Sequence, residues 1–308
     1  SSASQRSLKR RIGFTRPACS AGPGGGARRG GEPMLIDSAA EAGGARHPGL
    51  AWEHVSSGLS PEAANRFTAV EFAPASYDAS QSSTRLPPFP ASLGRRTLVF
   101  DAPYFDLANA PGTLGMVNWG AHDPGVPPTC RPADLAGEVL SRFGAYPAPD
   151  YLYGLAWHSA AQAERLGAGL AAAAERRAAI ARWLLAERLP DWDLALVVAG
   201  EPHSAIEALW HGVDPAHPAH ALPSQAAAAA GLATVYRAVD RMVAELARAC
   251  PDATLLLFNL HGMGSNDGDL PSMVLLPELL YRDRFGHAAL DTPADWQAAP
   301  GGLPALPE

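Results

Sequence analysis

The chain has 308 residues, with 24 Lys and Arg against 31 Asp and Glu, a net charge of −7 and 47% hydrophobic residues. That is enough apolar chain for one large α/β domain or two small ones. The acidic balance argues against nucleic acid as a general partner, because a polyanion binder needs a basic face.

No run of about 18 apolar residues occurs, so neither a membrane span nor a membrane partner is expected. Cys19, Cys130 and Cys250 lie far apart without CxxC spacing, which excludes a cysteine metal knot and fits a reducing, cytoplasmic setting. Residues 1–33 are rich in Ser, Arg and Gly and read as a disordered low-complexity tail. They lack the apolar core of a signal peptide. Residues 34–290 read as one domain, followed by an irregular C-terminal segment over 291–308.

Within the domain, Met34 to Gly43 suggests a helix stopped by Gly43-Gly44. Ser60 and Pro61 form an N-cap and first helical residue. Residues 73–94, rich in Ser and Pro, read as a surface loop. Arg96 to Asp101 and Leu114 to Trp119 are short apolar runs suited to buried strands. Pro132 to Phe143 has helical spacing and ends at Gly144. A long helix follows over Ala160–Leu189, with Arg176, Arg177 and Arg182 read as a solvated face.

Asp193 to Gly200 is a near-continuous apolar strand, Gln225 to Ala249 a second long helix, and Thr254 to Leu260 a second apolar strand. Strand, helix, strand at this spacing predicts a βαβ crossover. The expected fold class is therefore α/β, with a mostly parallel central sheet sandwiched between helices. In such sheets function sits past the carboxyl ends of the strands.

Two such ends carry the chemistry. After the strand at 193–200 come Glu201, His203, Glu207 and His211. After the strand at 254–260 comes His261, in a turn with Gly262 and Gly264. If His203 opens a helix, Glu207 lies one turn along on the same face, with His211 near it. Imidazole and carboxylate at that spacing suit a divalent metal such as zinc or manganese. Glu201 reads as an electrostatic cap of that helix. His217 and His220 fall in a loop and read as solvated, Asn266 to Asp269 as a surface turn, and His122-Asp123 as a turn between Gly120 and Pro124.

These residues also carry a resemblance. Asn259-Leu260-His261-Gly262-Met263 resembles the S-D-H-G-M segment of the alkaline phosphatase superfamily. Glu201-Pro202-His203 through Trp210-His211 is similar to the E-x-D/H-x-x-x-H-x-x-W-H segment of its phosphodiesterase/nucleotide-pyrophosphatase-like members. Ala51 to Pro61 is similar to the segment near that family's nucleophile, and the likeness spans residues 34–285.

The resemblance implies an alkaline-phosphatase-like fold and metal-dependent hydrolysis of phosphate mono- or diesters in a small phosphorylated substrate. It implies His203, Glu207, His211 and His261 as metal ligands, and Ser56 or Ser57 as the catalytic hydroxyl. Leu260 stands where the family has Asp, and no Thr stands four residues before Trp52. Those departures point to an alternative: a catalytically impaired member of the fold that binds a ligand or partner.

Overall fold

The computed structural model describes residues 48–66, 70–76, 78–81, 86–120, 128–149, 159–259 and 275–289. The sequence readings at 1–33, Met34–Gly43, His122-Asp123, Leu260, His261, Asn266–Asp269 and 291–308 lie outside those residues.

Helix α1 (Pro48–Ser57) ends at Gly58, and α2 (Pro61–Ala64) starts at Ser60, whose side chain accepts from the Ala63 amide as the cap motif predicts. Strands β1 (Val70–Ala73) and β2 (Asp78–Gln81) then pair antiparallel. This hairpin corrects the loop expected from residue 73 onward. Antiparallel pairing needs neither a long apolar run nor burial of both faces, so Ser-rich chain can supply it.

The central sheet is built from β3 (Thr97–Phe100), β4 (Thr113–Val117), β5 (Thr129–Arg131) and β6 (Leu194–Val197), in the order β5-β4-β3-β6. β3 is parallel to β4 and to β6, while β4 and β5 are antiparallel. The class is α/β as expected, but the sheet is mixed rather than mostly parallel. The antiparallel β5 has only three residues, too short to register as an apolar run.

Helix α3 (Leu135–Phe143) follows β5 and stops at Gly144. Helix α4 (Ala160–Trp183) is capped by Ser159 and continues as a π turn over Leu184–Arg188. After β6 come α5 (Glu201–Leu209), a 3-10 turn over Trp210–Gly212, α6 (Gln225–Ala249) and α7 (Leu276–Phe285). Among the described residues, no helix is long and apolar enough to cross a membrane.

Strand alternation divides the core in two. Leu98, Phe100 and Met116 face one side, with Ala195 and Val197, and pack on Leu135 and Val139 of α3 and Ile180 and Ala181 of α4. Val99, Val117, Leu196 and Val198 face the other side, which is covered by Ala102, Phe105, Leu107, Ala110 and Trp52. Helices therefore cover the first face, while the second is covered by the loop after β3 and by α1. A third core joins α4, α5 and α6. There the α4 and α6 backbones approach so closely that a Cβ on Gly167 would lie 2.5 Å from Gly231 Cα.

The second strand of the expected crossover is not formed. Residues 254–259 have no strand pairing, and Leu255, Leu256, Leu257 and Phe258 are each about half exposed (52, 50, 52 and 49%). An apolar run predicts burial, but among the described residues β6 pairs with β3 alone.

Candidate functional site

The carboxyl ends of β3, β4 and β6 converge on a buried ionic cluster. Asp101 directly follows β3 and Asn118 directly follows β4; both take a left-handed backbone, each at φ 60. Asp and Asn tolerate that region better than other non-Gly residues. Such conformations gather at functional sites and ligand clamps. Asp101 Oδ1 accepts from the Trp119 amide at 2.7 Å and Oδ2 from the Gly120 amide at 3.0 Å, so this carboxylate shapes the loop after β4.

Arg177 of α4 reaches into the same place. Its Nη1 donates to Asp101 Oδ2 at 2.6 Å and to the Val198 carbonyl at 2.9 Å. Its Nε and Nη2 form a fork on Glu201, at 2.9 and 2.8 Å to Oε2 and Oε1. Arg177 and Glu201 are fully buried. The rings of Phe100 and Trp119 lie 5.5 and 5.2 Å from the guanidinium carbon, within cation–π range.

Burial alone would depress the Arg177 guanidinium, but Glu201 and Asp101 overcome it and hold the charged form well above its ordinary value. Burial, and then the Glu201 charge, push the Tyr146 phenol up. Two sequence readings are corrected here. Arg177 does not lie on a solvated face, and Glu201 is not merely a helix cap.

Glu201 opens α5, which places the predicted pair. His203 Nε2 lies 3.1 Å from Glu207 Oε1, one helical turn apart as the i,i+4 spacing requires. The His203 side chain is about one-third exposed and that of Glu207 11% exposed, so the pair faces an accessible edge. The donor set fits a divalent metal. A tetrahedral shell with bonds of about 2.0–2.1 Å sets neighbouring donors roughly 3.3 Å apart, close to the separation seen here. His203 and Glu207 would supply two positions of such a shell. Among the described residues no group of three or more His, Cys, Asp or Glu is arranged to hold a metal ion.

The structure places His211 in different company. It is fully buried in the 3-10 turn, with Nε2 3.0 Å from Ser224 Oγ and its ring 6.0 Å from that of His217. His217 Nδ1 accepts from the Ala219 amide at 3.0 Å, and His220 Nδ1 donates to the His211 carbonyl at 2.7 Å. His217 is buried and His220 half-buried. This corrects the reading of His217 and His220 as solvated loop residues; His220 ties the loop back to the 3-10 turn.

Burial depresses the His211 imidazole to about 4, and His217 and His220 add to the depression. The sign of the pH effect follows. The unfolded chain takes up this proton near 6.5, whereas the folded chain resists it until about 4. Stability from this group is intact above pH 6.5 and is lost as pH falls from 6.5 toward 4. Urea midpoints measured at pH 7, 5 and 4 are expected to fall in that order, and to fall less steeply in His211→Gln.

Ser56 and Ser57 are the last two residues of α1, and both are buried. Ser57 Oγ donates to the His54 carbonyl at 3.4 Å and accepts from the Leu59 amide at 3.3 Å. Ser56 Oγ has no hydrogen-bond partner among the described residues. Nearby, Glu53 is fully buried and receives a two-point contact from Arg66, at 2.6 and 2.9 Å. The end of α1 is thus anchored by Glu53–Arg66.

No protein-family model, no curated protein and no solved structure matches the chain.

Proposed function

We propose that the chain is a metal-dependent hydrolase of phosphate mono- or diesters, with His203 and Glu207 holding a divalent cation, zinc or manganese. The observation that carries this reading is the convergence of an imidazole nitrogen and a carboxylate oxygen at 3.1 Å, on the helix that opens past the carboxyl end of β6. Parallel sheets present ligand sites at such ends.

Bound there, the cation would supply Lewis acidity at a phosphoryl oxygen and lower the pKa of a water molecule. The chain's own contribution is placement. Arg177 fixes the first residue of α5 through Glu201, and α5 then presents His203 and Glu207 from one face. His261 belongs to the same proposal as a further ligand, whereas His211, buried against Ser224, does not join the pair. Ser56 and Ser57 belong to it as candidate attacking hydroxyls, for which the hydroxyl would have to leave its place at the end of α1.

The purified protein is expected to contain divalent metal by mass spectrometry and to hydrolyse bis-p-nitrophenyl phosphate. His203→Ala should lose the metal and reduce turnover by more than about a hundredfold, since even outer-shell partners of a metal are worth roughly ten- to a hundredfold. Ser56→Ala and Ser57→Ala, assayed separately, should identify the attacking hydroxyl by loss of turnover with metal retained.

One observation favours a second reading, an impaired fold that binds a ligand or partner. The carboxylates nearest the strand ends, Asp101 and Glu201, are both engaged by Arg177 and offer no open donor. Absence of both metal and turnover in the wild-type protein would select that reading.

A further inference from the structure

Helix α5 has two unlike sides. Glu201, Ser204, Ala205, Ala208 and Leu209 are buried, at the spacing of one helical face. Pro202, His203, Ile206 and Glu207 make up the opposite side, and Trp210 extends it in helical backbone directly after Leu209. All five are half-buried. The outward side of a helix is ordinarily charged and polar. Here Glu207 is its one carboxylate, no Lys or Arg accompanies it, and Pro202, Ile206 and Trp210 are apolar.

The metal-type donors stand on that same side. His203 Nε2 and Glu207 Oε1 lie 3.1 Å apart. They supply two donors, whereas a tetrahedral shell takes four. Among the described residues no third His, Cys, Asp or Glu is arranged with them to hold a metal ion.

Charge leads to the same place as the donor count. One Glu207 carboxylate half-neutralises a divalent cation, and a metal-bound imidazole is neutral. Two such carboxylates neutralise the cation fully. Without the cation, the same contact would bring two carboxylates together between chains of net charge −7 each, and like charges repel.

Two-fold dimers are the commonest assemblies, and their contacts present the same patch from both copies. The outward side of α5 suits such a contact. It carries a donor pair that is completed by its own symmetry mate. Beside the pair stand Ile206 and Trp210, in keeping with interface cores, which are poor in charge and rich in aromatic residues.

We propose that the outward side of α5 is a cation-dependent contact with a second copy of this chain, in which His203 and Glu207 of each copy hold one divalent cation between them. This rests on the cation-holding part of the reading above and adds that the shell is shared.

Light scattering together with bound-metal measurements on the full-length protein tests this. Protein stripped with a chelator should be a monomer. Adding zinc should raise the mass about twofold, with a plateau at about one zinc per two chains. His203→Ala and Glu207→Ala, each checked for folding by circular dichroism, should stay monomeric at the same zinc concentration. Ile206→Asp keeps both donors and should weaken zinc-dependent dimerisation at least about tenfold, because it sets like charges against each other in the contact. A monomer that binds one zinc per chain would overturn the proposal and leave the reading above intact. A dimer that persists in chelator and in His203→Ala would overturn it too, by placing the contact elsewhere. No zinc uptake at all would overturn both.

Discussion

Replacing Arg177 by Met is expected to lower the unfolding free energy by about 3–5 kcal/mol, the cost of leaving buried charge without its partner. Asp101 and Glu201 would then face each other across a site from which water is excluded, with no guanidinium between them. Arg177→Lys is expected to lose most of the same stability. An ammonium is a point charge and cannot form the fork on Glu201 while reaching both Asp101 and the Val198 carbonyl.

The mechanism makes a second, less intuitive forecast. Adding Asp101→Asn and Glu201→Gln to Arg177→Met should recover part of the loss, because the uncompensated charges are removed together. Urea unfolding of the single, triple and wild-type proteins measures this. A single variant within about 1 kcal/mol of wild type, the range of exposed pairs, would mean that the cluster is open to water.

Gly115→Ala is expected to cost about as much by another route. Gly115 sits in β4 at φ 125, and an added Cβ would lie 1.8 Å from the Val99 carbonyl oxygen in β3. Backbone cannot swing aside as a long side chain does. The substitution must therefore part β3 from β4 or distort both, and the left-handed backbone adds its own penalty. Overpacking of about 1–3 kcal/mol and backbone strain of similar size add to about 2–6 kcal/mol. Soluble expression and thermal midpoint should both fall sharply, whereas Gly94→Ala, whose Cβ would meet open space at φ 60, should lose only the backbone part.

Much of the scaffold is readable from the chain itself. Ser60-Pro61, the runs at 97–100, 113–117 and 194–197, and the helix over 225–249 all fold as local chemistry directs. The burial of Arg177 departs from the solvated face that the sequence suggests, although the chain carries a signal for it. Leu170, Ala173, Ala174, Ile180, Ala181 and Leu184 fall at helical spacing around it, so it stands on the apolar stripe of α4, unlike its neighbour Arg176. The Ala-rich sequence blurs that stripe, and an arginine next to another arginine resembles a charged face.

The partners of Arg177, Asp101 and Glu201, lie 76 and 24 residues away, and no local pattern links such positions. The pairing of His203 with Glu207 was legible because one helical turn dictates it. The burial of His211 was not, because it depends on the 3-10 turn that redirects the chain and on packing against Ser224.

The metal-holding role proposed for α5 is tested most directly by titrating the purified protein with cobalt(II) and following visible absorption. His203 and Glu207 predict a saturable band of tetrahedral intensity in the wild type that is absent in His203→Ala and in Glu207→Ala, with both variants still folded by circular dichroism. Equal spectra for the wild type and the two variants, or no cobalt uptake by the wild type, would contradict it.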